Sequence, residues 1–199
     1  MVDMPPRQKF TKEEIVAAAL NLVRREGMAG ITARGLGLEL GTSSRPIFTA
    51  FQNMEEVQQE VVVAARALYN GYIEKGLIDK IAFRGVGMQY FRFAKEEPRL
   101  FELLFMTSGN ENITFEEILP AIDVNSDKIL GSIHKEYDLS RELSYKLYQY
   151  LWLFTHGIAC LCATGMGRLT EDKVETLLTE VFLGMLVKIK GREGEDKNA

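Results

Sequence analysis

Apolar residues recur every three or four positions through most of the 199-residue chain, and this period predicts α-helices. The first helix is expected from Lys12 to Glu26, because Thr11 and Glu14 have the spacing of a capping box and Gly27 can end the helix. A second, short helix is expected from Ala33 to Leu40.

The pattern continues with helices to the end of the chain. A third helix is expected to be capped by Ser43 or Ser44, with Pro46 in its first turn, and to end near Phe51. A fourth is predicted from Met54 to about Gly76. The later helices are expected at about 78–96, 98–106, 115–136, 140–165 and 170–189, followed by a charged tail at 191–199 that is expected to be disordered. Since no segment has the two-residue period of a strand, the predicted fold class is all-α.

Composition and charge add a few constraints. Hydrophobic residues make up 46% of the chain, which supports a packed core. The net charge is −4, but residues 1–53 carry seven Lys or Arg against five Asp or Glu. The start of the chain lacks the apolar core of a signal peptide, so a cytoplasmic location is expected. Cys160 and Cys162 point in different directions on a helix and are expected to be buried without sharing a metal or disulfide.

The segment 147–167 contains no Asp, Glu, Lys or Arg and is long enough to cross a bilayer. It also contains three glycines and the polar residues Gln149, Thr155 and His156, and its neighbours are ordinary amphipathic helices. A helix buried on all sides is therefore favoured over a membrane span.

The most informative segment is 32–51, TARGLGLELGTSSRPIFTAF, in which two short predicted helices are joined by a turn at Gly41. The apolar residues that are expected to meet are Leu36, Leu40, Ile47 and Phe51, over Ile15, Leu22 and Val23 of the first helix. This arrangement is typical of a helix-turn-helix module, although an ordinary helical hairpin has the same spacing.

The sequence resembles the tetracycline-repressor (TetR) family of transcriptional regulators over its whole length. The resemblance rests on a first helix that ends in glycine, on Ile31-Thr32 followed by Ala33-Arg34, on the turn at Gly41 and on an aromatic-rich third helix. The start of the fourth helix, Asn53-Met54-Glu55-Glu56-Val57, also fits the family pattern.

The second half resembles the WHG subgroup of TetR effector domains. The matching residues are Phe93-Ala94, the run Glu97-Pro98-Arg99-Leu100-Phe101-Glu102-Leu103-Leu104-Phe105, Trp152 and the His156-Gly157 pair. The resemblance implies a three-helix helix-turn-helix DNA-binding domain at 1–53 and a helical effector-binding and dimerisation domain at 54–190. It implies a double-stranded DNA operator and a small, largely apolar effector as partners, with no cofactor.

The family pattern also implies which residues contact DNA. They are Thr32, Arg34, Ser43, Ser44, Arg45, Thr49 and Gln52. Thr32 would approach a phosphate at the start of its helix. Arg34 would reach a base edge, and Arg45 would contact guanine through two hydrogen bonds.

The sequence departs from the family at three positions that normally grip phosphates. Many members have Tyr, His and Lys where this chain has Phe48, Ala50 and Met54, and Phe48 would then belong to the core. Gly35 and Gly37 weaken the second helix by about 1 kcal/mol each relative to Ala. Either DNA binding is weak, or other basic residues grip the phosphates. The candidates are Arg7, Lys9 and Lys12.

Aromatic residues and one histidine form the candidate ligand-binding set. They are Tyr90, Phe93, Phe101, Phe105, Trp152 and His156. His156 is either a polar anchor in a pocket or a satisfied core histidine, and the aromatic residues fit a core as well as a cavity wall.

The favoured function is a ligand-responsive repressor that binds a palindromic operator. The alternative is a helical binding or adaptor protein whose helix-turn-helix has lost its affinity for DNA. An enzyme is disfavoured, because the sequence has no Ser/His/Asp set, no glycine-rich phosphate loop with Lys and no helix with metal-spaced histidines.

The last two helices are expected to form a homodimer. The helix at 140–164 is apolar nearly all round, so one face needs a cover from outside its own domain. The final helix contributes a predicted stripe of Val174, Leu177, Leu178, Val181, Phe182, Met185 and Leu186. The fourth helix is expected to act as a rod that transmits ligand binding to the spacing of the two DNA readers, about 34 Å apart.

Overall fold

The computed structural model describes residues 10–107, 114 and 117–196, and this part of the chain is all-α. The helices are α1 (Lys12–Glu26), α2 (Ala33–Glu39), α3 (Ile47–Ala50), α4 (Met54–Leu77), α5 (Ala82–Glu96), α6 (Pro98–Phe105), α7 (Ile118–Ile122), α8 (Ser126–Tyr137), α9 (Arg141–Ala163) and α10 (Glu171–Asp196). A short 3₁₀ helix, Met28–Gly30, follows α1. The all-α prediction is confirmed.

Local sequence signals set the bounds of α1. The Thr11 hydroxyl accepts a hydrogen bond from the Glu14 N–H at 3.2 Å, and the Glu14 carboxylate accepts one from the Thr11 N–H at 2.8 Å. Gly27 ends the helix with φ 72°, which favours glycine, and its N–H donates to the Val23 carbonyl. The predicted capping box and the predicted end are both confirmed.

Two other predicted boundaries differ from the structure. Helix α5 begins at Ala82 rather than near 78, because the Asp79 carboxylate accepts a hydrogen bond from the Ile81 N–H at 3.2 Å and holds a turn. The predicted helix at 115–136 is divided into α7 and α8. Asp123 lies at this break and is buried, and it accepts hydrogen bonds from the Tyr69 hydroxyl and from the Asn125 N–H, both at 2.8 Å.

The end of the chain also differs from the prediction. Helix α10 continues to Asp196, so residues 191–196 are helical rather than part of a disordered tail. Residues 197–199 lie outside the described part of the chain.

The chain forms two compact units, and the boundary lies inside α4. The N-terminal unit consists of Met1–Leu68 and Arg99–Thr107, and the C-terminal unit consists of Tyr69–Pro98 and Ser108–Ala199. The predicted domain boundary at residue 53 therefore falls within the N-terminal unit. Helix α4 contributes residues to both units, whereas α6 belongs mainly to the first.

Helix α1 and the first part of α4 supply most of the buried residues of the N-terminal unit, together with residues from α2, from α3 and the position after it, and from α6. These residues are Ile15, Ala19, Leu22, Val23, Leu36, Ile47, Phe51, Val57, Val61, Ala65, Leu100 and Phe101. The period of apolar residues in α4 predicts that Val57, Val61, Ala64, Ala65, Leu68 and Tyr72 form its buried stripe, and this prediction is partly wrong. The buried residues of α4 continue to Tyr69 and Ile73, whereas Leu68 is exposed and Tyr72 is half-buried.

The core of the C-terminal unit is built where α5, α9 and α10 meet. Met88, Phe91, Ile158, Val174 and Leu178 form one buried cluster. Because the unit uses Val174 and Leu178 in its own core, these two residues of the predicted dimer stripe cannot lie in an interface.

Helix α9 is not buried on all sides, contrary to the prediction. Gln149 and Thr155 are buried, but Tyr150, Leu153, Gly157 and Leu161 are exposed along one face. Cys160 and Cys162 are free thiols and half-buried rather than buried. None of the helices in the described residues is long and apolar enough to cross a membrane.

The buried Tyr69–Asp123 hydrogen bond gives a stability prediction. We expect Tyr69→Phe to lower the free energy of unfolding by about 1–3 kcal/mol, because it leaves a buried carboxylate without one of its donors. Tyr72→Phe is the matched control. It removes the same atom, but from an exposed hydrogen bond to Glu96. Chemical denaturation of both variants measures the difference, and equal losses would contradict the assignment.

Candidate functional site

Helix α2 is held against α1 by packing and by one ion pair. Helix α1 contacts α2, and the Arg25 guanidinium donates two hydrogen bonds to the Glu39 carboxylate, at 3.1 and 2.9 Å. These bonds lower the pKa of Glu39. The sequence analysis missed this pair, because residues 25 and 39 lie on different helices.

Glycine is required at two positions near the turn, one within α2 and one in the turn itself. Gly41 has φ 63° in the turn, as the sequence predicted. Gly37 is buried, and a Cβ atom there would lie 3.0 Å from the backbone of both Ser43 and Ser44. Gly37 therefore allows the segment after the turn to lie directly against α2. This close approach gives a reason for a glycine at a position where it weakens the helix.

The candidate DNA-binding residues lie mostly at the surface of this region. Arg34 on α2 is exposed, as are Ser43 and Arg45 in the segment before α3. Neither arginine takes part in an ion pair or a side-chain hydrogen bond within the described residues. Both guanidinium groups are thus available to an external acceptor.

The caps of the two helices differ from each other. Thr32 caps α2 as predicted, since its hydroxyl accepts a hydrogen bond from the Gly35 N–H at 3.0 Å. The predicted cap of α3 by Ser43 or Ser44 is wrong. Helix α3 begins at Ile47 without a side-chain cap, because Pro46 occupies the capping position and the Ser44 carbonyl accepts the Ile47 N–H at 3.1 Å.

The remaining two candidates are exposed, with local backbone contacts. The Thr49 hydroxyl donates to the Pro46 carbonyl, and the Gln52 N–H donates to the Glu56 carboxylate at 2.7 Å.

Lys12, one of the three candidate phosphate contacts, has a partner in the same unit. Its Nζ lies 2.7 Å from the Glu56 carboxylate and 4.7 Å from the centre of the Phe51 ring. The Gln52 N–H and then Lys12 lower the pKa of Glu56. A phosphate would have to compete with this carboxylate. Arg7 and Lys9 lie outside the described residues.

Two large apolar side chains are exposed on α2 and α3. Leu38 is 72% exposed and Phe48 is 48% exposed. The expectation that Phe48 belongs to the core is therefore wrong, since Ile47 and Phe51 fill that role in α3 and after it.

Three of the candidate ligand residues come together in the C-terminal unit. The Tyr90 hydroxyl lies 2.9 Å from His156 Nδ1, and the Trp152 ring is stacked on the imidazole at 4.9 Å between centroids. Cys160 Sγ lies 3.4 Å from His156 Nε2. Burial lowers the pKa of His156 and raises those of Tyr90 and Cys160, so all three groups favour their neutral forms.

Of the other three aromatic candidates, Phe93 is buried beside the rings of Tyr69 and Tyr72. Phe101 and Phe105 contact each other in the N-terminal unit. The structure thus does not gather the six candidates at one site. Their helical spacing in the sequence predicts buried faces, but it does not predict which compact unit each residue joins.

The C-terminal unit contains an apolar cavity of about 270 Å³, and among the six candidates only Trp152 contributes to its wall. The apolar and aromatic lining residues are Ile81, Phe83, Val86, Gly87, Tyr137, Tyr148, Leu151, Trp152, Leu178, Phe182 and Leu183, and the others are Arg84, Thr155 and Thr179. Edge-to-face ring contacts join Phe83 to Tyr148 and to Phe182. The sequence analysis missed most of these residues, because four separate helices supply them.

Polar groups at the cavity are largely satisfied. The Thr155 hydroxyl donates to the Leu151 carbonyl at 2.7 Å. The indole Nε1 of Trp152 is buried and meets no acceptor at bonding geometry, although the Tyr90 hydroxyl lies close to it. Burial raises the pKa of Tyr137 to about 12, so its hydroxyl is neutral at physiological pH.

Nothing in the described part of the chain groups three or more His, Cys, Asp or Glu residues in a way that could hold a metal ion. Comparison of the chain with models of known protein families and with curated proteins gave no match.

Proposed function

We propose that the protein is a ligand-responsive, DNA-binding transcriptional regulator that acts as a homodimer, most simply a repressor. The observation that carries this proposal is the exposed pair Arg34, on α2, and Arg45, just before α3, neither of which has an ion-pair or side-chain hydrogen-bond partner within the described residues. Guanidinium groups presented in this way can make paired hydrogen bonds to guanine in the major groove.

The charges around the two arginines support the same function. Between residues 32 and 53 the sequence contains one carboxylate, Glu39, and it is bound by Arg25. The surface of α2 and α3 is therefore left with an excess of positive charge, which favours a polyanion.

The proposed dimer uses the apolar residues of α9 and α10 that the unit does not bury. On α9 they are Tyr150, Leu153 and Leu161, with Gly157 between them, and on α10 they are Leu183 and Val187, which are 53% and 73% exposed. Since α9 and α10 contact each other, a two-fold axis beside them would bury both sets against their symmetry mates.

The apolar cavity is the proposed effector site. Its volume is close to the lower end of the range of about 300–1,000 Å³ that is typical of small-molecule sites. Trp152, the single tryptophan of the chain, lies in its wall, so its fluorescence reports on occupation.

Selection of bound duplexes from a random pool tests the proposal. We expect enrichment of a palindrome whose half-sites are separated by about 10 base pairs or a multiple of this, because a two-fold dimer presents two identical readers. A pool without enrichment at low salt would contradict DNA recognition.

The second candidate function is a helical adaptor that binds protein rather than DNA. The observation in its favour is the exposure of Leu38 on α2 and Phe48 on α3, close in sequence to the two arginines. If the adaptor proposal is correct, Phe48→Ala abolishes capture of a protein partner, and no duplex of any sequence is retarded in a gel at low salt.

A further inference from the structure

The apolar cavity of the C-terminal unit adjoins a strongly acidic surface. A shallow depression on α10 is lined by Asp172, Glu175, Thr176, Thr179 and Glu180, and Thr179 also lines the cavity. The two spaces therefore meet at one residue, with apolar rings on one side and three carboxylates on the other.

Arg84 is the single cation among the residues that line either space, and it is already neutralised. Its guanidinium lies 2.9 Å from the Glu175 carboxylate and 3.5 Å from that of Asp79. A carboxylate or phosphate on a ligand would have to displace Glu175 from Arg84 and then remain near Asp172 and Glu180. The charges thus disfavour anionic ligands relative to cationic ones.

We propose that this cavity binds lipophilic cations, with the apolar body of the ligand among the aromatic rings and its cationic head in the acidic depression. Phe83, Tyr137 and Phe182 can also attract a cation through their ring faces. The inference rests on the proposed effector role of the cavity and specifies the chemical class of the effector.

Three ten-carbon probes that differ only in the head group test the proposal. They are decylammonium, decanol and decanoate, each titrated into the full-length protein below its micellar concentration and followed by Trp152 emission. We expect decylammonium to bind about fivefold more tightly than decanol, and decanoate more weakly than either, because the carboxylates of the depression attract the ammonium group and repel the carboxylate. The difference is small because attractions between exposed charges are modest. Added salt should reduce the difference between the probes. Equal affinities for all three, or tightest binding of decanoate, would overturn the proposal.

Charge variants provide the matched controls. Glu180→Gln should weaken decylammonium binding about two- to threefold and leave decanol unchanged, whereas Glu74→Gln removes the same charge from an exposed position on α4 and should change neither. Arg84→Gln should tighten decylammonium binding, since it releases Glu175 and Asp79. Loss of decylammonium affinity in Arg84→Gln would contradict the proposal.

A steric variant establishes that the probes enter the cavity. A Cβ on Gly87 would meet only Leu178, at 3.5 Å, so Gly87→Ala should fold and bind, and Gly87→Phe should fill the cavity and abolish the response. Thr179→Trp blocks the space from its other wall if Gly87→Phe does not fold. Unchanged binding in a folded, blocked variant would place the probes elsewhere and overturn the proposal.

The ligand titrations and the selection of bound duplexes together separate this inference from the proposed function. If the head-group order holds but the protein binds no duplex, the cation site stands and the regulatory function fails. If the protein binds its operator but the order is reversed, the regulatory function stands and the ligand class is wrong.

Discussion

Arg45→Ala is expected to lower the affinity for the best operator duplex by about 5- to 150-fold, which corresponds to ~1–3 kcal/mol for a paired contact to guanine. The loss should be confined to the selected sequence and should relax one base position in each half-site. The physical reason is that Arg45 is exposed beside α3 and has no partner within the described residues. Quantitative gel retardation on selected and random duplexes measures both effects.

Arg24→Ala is the control for Arg45→Ala. It removes one positive charge from α1 in the same unit, and we expect it to weaken binding to selected and random duplexes by the same small factor. If Arg45→Ala also weakens both kinds of duplex equally, Arg45 is a phosphate contact and does not read sequence.

Introducing positive charge on the proposed dimer face should weaken the dimer strongly. We expect the double variant Leu161→Arg and Leu183→Arg to raise the dissociation constant of the dimer at least ~100-fold, because each symmetric interface would bury four unpaired guanidinium groups. Light scattering at micromolar concentration should then show a monomer. Operator binding should fall with it, since a monomer occupies one half-site at a time.

Ile78→Arg is the matched control for the dimer. Ile78 is 85% exposed in the same unit but lies outside α9 and α10. The variant adds a charge at an apolar surface position and should stay dimeric. A wild-type protein that is monomeric at micromolar concentration, or a double variant that remains a dimer, would rule out this face.

Features that depend on neighbouring residues were predictable from the sequence. The capping box of α1, the cap at Thr32 and the turn at Gly41 each involve groups within four residues of one another. Backbone hydrogen bonding and steric limits determine these caps and this turn, and they are the same in any fold. The all-α class followed from the period of apolar residues for the same reason.

Features that depend on packing between helices were not predictable in this way. In α4, adjacent stripes at positions 64, 68 and 72 and at 65, 69 and 73 are both apolar, and contacts with other helices decide that Tyr69 and Ile73 are buried. The break at Asp123 likewise depends on Tyr69, 54 residues away.

The candidate sites follow the same division. Arg34 and Arg45 were named in advance through the resemblance to the TetR family, which rests on matches between short runs of neighbouring residues, and both are exposed in the structure. The cavity could not, because Phe83, Tyr148 and Phe182 come from α5, α9 and α10 and form a wall only after these helices meet. A helical stripe identifies a buried face but does not identify the helix that will cover it.

The chain order of the N-terminal unit has a consequence for protein synthesis. This unit is discontinuous, since it needs Arg99–Thr107 in addition to Met1–Leu68, and Leu100 and Phe101 are fully buried. At ribosomal rates of ~5–20 residues per second, the second segment is made roughly 2–8 s after the first. During this interval α1, α2 and α3 have been made without the residues that complete their core. The nascent chain should therefore stay sensitive to protease until α6 has left the ribosome.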